Sequence, residues 1–137
     1  MPTSTVGLYM SPTAEILAVN KKLLDSIAAG DWKTYAELCD PNISCFEPEA
    51  NGNVVEGLAF HKYYFDLPGD GKPRNTTVVS PLVRFCGDDV AVIAYIRLTQ
   101  KLAADGSPVT AAMEETRVWH RSGGKWRHVH FHRSAAG

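Results

Sequence analysis

The sequence predicts a single α+β domain in which helices come first and an antiparallel meander comes last, and three observations carry that prediction. Residues 87–134 hold three long runs rich in Val, Ile, Tyr, Thr and Trp whose apolar and polar positions alternate with the period of a strand. Clusters of turn formers punctuate them: Gly87-Asp88-Asp89, Ala104-Asp105-Gly106-Ser107-Pro108 and Ser122-Gly123-Gly124. Upstream, apolar residues recur at helical spacing instead, which supplies helices to cover one face of the sheet. A chain of 137 residues suits one such domain, burying about two thirds of its unfolded surface.

Residues 1–10 show no periodicity and are expected to be a flexible lead-in, with the domain proper over 11–137. Ser11-Pro12 then signals a helix start, because the Ser11 hydroxyl can accept a free N–H and proline has no donor to waste at the first helical position. Ile16, Leu17, Val19, Leu23, Leu24 and Ile27 form its apolar stripe, and Gly30 ends it. Asp31 caps a short second helix through Trp32, Tyr35 and Leu38, which stops at Asp40-Pro41 because proline disfavours a helical residue before it. Residues 43–46 read as a short strand, 47–53 as a loop, 57–65 as a third helix crowded with aromatics, and 66–74 as a loop. Residues 75–85 read as a strand that Pro81 confines to an edge or breaks with a bulge.

Alternation within the meander selects the candidate site. Arg97 shares its face with Ile93 and Tyr95, Arg117 with Met113, Glu115 and Trp119, and Arg133 with Val129 and Phe131. A three-residue loop 123–125 would pair Ser122 with Trp126 and set Arg117 opposite Phe131, bringing the three arginines onto one face. With fewer acids on that face, the arrangement leaves buried positive charge, which a carboxylate with fork geometry would relieve.

Composition bounds the remaining possibilities. A net charge of −1 argues against a nucleic-acid partner, which requires a basic surface. No apolar run is long enough to span a bilayer, so no membrane partner is expected, and no secretory signal is visible. Cys39, Cys45 and Cys86 are odd in number and match no zinc or redox spacing, which predicts free, buried and inert thiols in a reducing, cytoplasmic compartment. His128, His130 and His132 alternate on what reads as the outward face beside His120; no carboxylate or cysteine stands at a matching offset, so neither a metal nor a cofactor is expected.

The segments GDWKTYAELCDP, FEPEANGNVVEGLAFHKYYF, IAYIRLTQ, EETRVWHRSGGKW and VHFHRS closely resemble the association, or hub, domain of calcium/calmodulin-dependent protein kinase II, over about residues 15–134. The resemblance implies the cone-shaped fold of the nuclear transport factor 2-like (NTF2-like) superfamily, with a long N-terminal helix in the concave face of a curved antiparallel sheet. It implies a non-catalytic oligomerisation scaffold that assembles two stacked rings, as a dodecamer or tetradecamer, with kinase-type subunits as possible partners. It also implies a pocket for a small carboxylate, with the family's arginines on Arg97, Arg117 and Arg133, its histidine on His61, and Tyr95 beside them. The loop after Phe65 is shorter than the family's and lacks its tryptophan. Apolar bulk on both sheet faces, Trp119, Trp126 and Phe131 included, is the sequence motive for assembly. Relatives of this fold use the cavity for isomerase or dehydratase chemistry, and the alternative reading is such an enzyme with His61 and Glu115 as the base candidates.

Overall fold

In the computed structural model, which describes residues 10–137, the first helix begins and ends where capping chemistry places it. The lead-in at 1–10 lies outside the described residues except for Met10. Helix α1 (Pro12–Ala29) opens with the Ser11 hydroxyl accepting from the Ala14 N–H and closes at Gly30, whose φ of 66° lets its N–H reach back to the Ile27 carbonyl. Helix α2 (Trp32–Leu38) follows, capped by the Asp31 carboxylate on the Thr34 N–H. Strand β1 (Cys39–Phe46) starts before Asp40-Pro41 and so is longer than the 43–46 expected. A 3-10 turn at Pro48–Ala50, the two-residue strand β2 (Val55–Glu56) and helix α3 (Ala59–Asp66) lead to strands β3 (Asn75–Phe85), β4 (Val90–Leu102), β5 (Pro108–Ser122) and β6 (Lys125–Ala135).

The strands form one curved open sheet in the order β2-β1-β6-β5-β4-β3, antiparallel except where β1 runs parallel to β6. The expected α+β class holds, with α1 lying across the inner face. Its Ile16, Leu23 and Leu24 are sealed against Ile93, Trp119 and Phe131, and the Trp119 indole N–H donates to the Asn20 amide oxygen at 3.1 Å. Each fully buried leucine of this kind contributes about 1.5–3 kcal/mol. Pro81 acts in both of the ways expected, since β3 is an edge strand and its register shifts between Val79 and Leu82, where Ser80 takes a φ of 52°.

The β5–β6 turn corrects the sequence reading. The loop has two residues, pairing Ser122 with Lys125, yet Arg117 still stands opposite Phe131. A bulge restores the register: Trp119 pairs with His128 and Val118 with His130, which leaves Val129 as the extra residue on β6. His128 is therefore not in the outward row with His130 and His132; it turns inward and is completely buried beside Trp119. Two further expectations fail on burial. Cys86 is exposed, while only Cys39 and Cys45 are buried, and Trp119 and Phe131 lie inside the core instead of on an assembly face.

Candidate functional site

The inner face of β4, β5 and β6 carries Tyr95 and Arg97, Glu115 and Arg117, and Phe131 and Arg133 in register, because Tyr95 pairs with Glu115, Glu115 with Arg133, and Arg117 with Phe131. Beside them opens a cavity of about 240 Å³ whose wall includes Arg97, Arg117, Arg133, His61, Glu47 and Glu49. The structure thus brings together the three predicted arginines and the predicted histidine. Tyr95 and Glu115 stand behind the wall.

Glu115 organises this cluster from below. Its Oε1 accepts from the Tyr95 hydroxyl at 2.7 Å and from Arg117 Nη2 at 2.9 Å, and the Arg117 Nε donates to the Tyr95 oxygen at 2.9 Å. Burial alone would raise this carboxyl, but Arg117 and Arg97 outweigh it and hold Glu115 below the usual carboxylate range. Arg117 is fully buried, its guanidinium 4.6 Å from the centre of the Phe131 ring, and burial is overcome by Glu115 and Tyr95, so it stays charged. Arg97 Nε approaches Glu115 Oε2 to 2.9 Å but at an angle that makes no hydrogen bond, so both atoms are buried and unpartnered, as is Arg133 Nε.

The expected excess of positive charge does not exist. Arg133 is claimed by two further carboxylates, Glu49 at 2.6 Å and Glu47 at 3.2 Å from its Nη1, so three arginines face three carboxylates. Glu47 and Glu49 fall in the segment 47–53 that the sequence marks as a loop. They arrive because β1 pairs with β6 and the 3-10 turn at Pro48 brings both acids to the cavity, a long-range placement that local pattern does not reveal. The available signal was chemical: arginines on a buried face demand acids, and Glu47-Pro48-Glu49 directly follows the predicted strand.

His61 sits on α3, buried among Tyr35, Phe60 and Phe131, and burial together with Arg117 pushes its pKa down to about 4, so the ring is neutral near pH 7. Its Nδ1 is 3.6 Å from Glu47 Oε1 and its Nε2 3.8 Å from the Cys45 sulfur. Burial raises Cys45 to about 12, with Glu47 adding to it, and raises Glu47 with Glu49 adding to that. A second buried thiol–imidazole contact joins Cys39 to His128 Nδ1 at 3.6 Å, with Arg117 Nη1 3.4 Å from His128 Nε2. An arginine can only donate, so the neutral His128 ring carries its proton on Nδ1. The cysteines thus have imidazole neighbours that the sequence did not reveal, while remaining thiols. Of the aromatics on α3, Phe65 packs against the core while Tyr63 and Tyr64 are exposed.

Comparison with known proteins places these residues in a family. Residues 12–137 match the family model of the calcium/calmodulin dependent protein kinase II association domain. The delta subunit of calcium/calmodulin-dependent protein kinase type II from Oryctolagus cuniculus is 50% identical over 124 residues, covering 89% of this chain and 23% of the relative, so the chain spans about a quarter of that protein's length. The hub homology domain of Chlamydomonas reinhardtii superposes with a TM-score of 0.89 at 52% identity, covering 93% of this chain and 100% of the other. An NTF2-like protein of Cytophaga hutchinsonii shares the fold alone, with a TM-score of 0.74 at 18% identity over 93% of this chain and 100% of the other.

Proposed function

The chain belongs to the calcium/calmodulin dependent protein kinase II association domain family, and from that premise we propose that it is a non-catalytic scaffold that joins copies of itself into a two-ring homo-oligomer and takes a small carboxylate in its cavity. The outer sheet face carries the assembly reading. Val92, Ala94, Ile96 and Leu98 on β4 point away from α1, and their cross-strand partners include Val79 and Leu82 on β3 and Ala112 and Val118 on β5. No described helix covers that face, and Leu82 is 59% exposed. A patch of this kind on a small domain marks an interface. Subunits that carry a kinase domain are the natural co-assembly partners. Native mass spectrometry at micromolar concentration checks the reading: a ring-sized mass supports it, and a monomer or dimer overturns it.

The carboxylate reading is supported by the buried, unpartnered Nε–H groups of Arg97 and Arg133 at the cavity. An entering carboxylate would replace Glu47 or Glu49 on Arg133, and each charge-assisted bond gained is worth about 1.5–3 kcal/mol. Arg133→Gln should therefore weaken a short hydroxy-carboxylate by about tenfold to a hundredfold in calorimetry; equal affinity in variant and parent would remove the site. The cavity-enzyme alternative has less support. Glu115 is fully buried, engaged by Tyr95 and Arg117, and absent from the cavity wall, so it is not within reach of a substrate proton.

A further inference from the structure

We propose that Cys45, Glu47 and His61 form a binding site for one divalent transition-metal ion of the zinc class, set into the wall of the cavity. One ligand atom from each residue can be chosen so that all three lie within 4.8 Å of one another. A tetrahedral zinc site with bonds of about 2.0–2.3 Å separates its ligand atoms by roughly 3.3–3.6 Å, so the widest pair must close by at most roughly 1.2–1.5 Å. His61 offers one nitrogen to the ion, and each has one ligand at close to that separation: Nε2 lies 3.8 Å from the Cys45 sulfur and Nδ1 3.6 Å from Glu47 Oε1, so a small turn of the ring or of the remaining ligand completes the set. Cys45 is on β1, Glu47 immediately follows it, and His61 comes from α3, so the site is tied to the sheet and not to a mobile tip.

The donor set fits the ion. A thiolate, a neutral imidazole and a carboxylate are the ligand types zinc accepts, and the two negative ligands neutralise its charge once the thiol proton is released to solvent. The outer partners fit as well: Arg133 Nη1 holds Glu47 Oε2 at 3.2 Å while leaving Oε1 toward His61, and keeps Glu49 as its own counter-charge. Three protein ligands leave the fourth position open, and Glu47 and His61 both line the cavity, so an exogenous ligand can reach it. The other thiol–imidazole pair makes the contrast. Cys39 and His128 have no carboxylate or other third ligand grouped with them among the described residues, and Arg117 occupies the other nitrogen of the ring. This site does not depend on the carboxylate reading, since removing Cys45 leaves all three arginines in place.

Cobalt(II) titrated into the full chain in a buffer with a phosphine reductant tests the proposal. The expected result is one equivalent bound with thiolate-to-cobalt charge-transfer absorption in the near ultraviolet and the visible bands of a four-coordinate site. Cys45→Ala should abolish the charge transfer and weaken binding by more than about a hundredfold, because even outer-shell changes cost about 10–100-fold. Glu47→Gln should retain the charge transfer at an affinity at least about tenfold weaker, which also serves if the cysteine variant fails to fold. Cys39→Ala should leave the spectrum unchanged. Absent charge transfer in the parent, its survival in Cys45→Ala, its loss in Cys39→Ala, or undiminished affinity in Glu47→Gln each overturns the site; cobalt bound without charge transfer is held by the surface histidines and overturns it too.

Discussion

The inner face of the sheet has a sealed half and an open half built on the same three strands. In the sealed half, Ala91, Ile93 and Trp119 pack with α1 and His128 lies beside Trp119, and the polar atoms each have a partner: Asn20 for the Trp119 indole, Cys39 and Arg117 for the two nitrogens of the His128 ring. In the open half, Arg97, Glu115, Arg117 and Arg133 meet Glu47, Glu49 and His61 around the cavity, and every buried side-chain atom without a partner among the described residues belongs to this half. The difference teaches where function lies. A stable core leaves nothing to satisfy, whereas a site keeps donors that a ligand can complete.

Four substitutions or conditions would break or sharpen that contrast. The largest effect is expected from Glu115→Ala, which strands Arg97 and Arg117 in the interior and should cost about 3–5 kcal/mol in urea denaturation. Millimolar acetate should recover part of that loss, since an added anion can stand in for the missing carboxylate; an acetate-independent loss would show that the open half is as closed as the sealed one. Leu23→Ala in the sealed half should cost about 2–5 kcal/mol, with no response to acetate, and an acetate response there would erase the distinction. Asn20→Ala removes the acceptor of the buried Trp119 indole and should cost about 1–3 kcal/mol in the same assay.

The smallest effect is a pH dependence from the sealed half. Burial, with Arg117 adding to it, pushes the His128 pKa well below its ordinary 6.5, so the unfolded chain binds a proton that the folded ring refuses. The stability this ring contributes is therefore fully present above about pH 6.5 and is lost as pH falls toward the folded pKa, by about 1.4 kcal/mol per unit from this residue. His128→Phe should flatten that acid limb in denaturation midpoints measured between pH 7 and 5. An unchanged slope would assign the acid sensitivity to other groups.

Much of this was legible in the sequence, and the exceptions share one cause. Ser11, Gly30 and Asp31 fix the helix ends through local hydrogen bonds, and Pro81 marks the β3 edge, so neighbours in sequence suffice for these. Arg97 and Arg117 follow from strand alternation, which is also local. Glu47, Glu49, Cys45 and His61 reach the site through the parallel pairing of β1 with β6 and the docking of α3, contacts that span up to 86 residues. Alternation puts His128 on the wrong face because it assumes an unbroken register, and nothing in the dipeptide His128-Val129 announces a bulge.

That bulge works as a phase shifter between the two halves. Up to His128 the strand keeps the parity set by the Gly123-Gly124 turn, and beyond Val129 the parity is inverted, which is why His128 and Phe131, three residues apart, face the same way. One residue of the turn has in effect been moved into the strand, so the polarity of everything downstream is set by a single insertion. Were the ladder to run on past His128 without the bulge, Val129 would pair with Val118 and Phe131 with Thr116, which would leave Trp119 and His128 undisturbed while sending Phe131 and Arg133 to the solvent side and drawing His130 and His132 inward. The cavity's third arginine is thus under the control of the register at one position and not of any contact it makes, and ironing out the bulge with Val129 retained would exchange an arginine-walled hollow for a histidine-walled one.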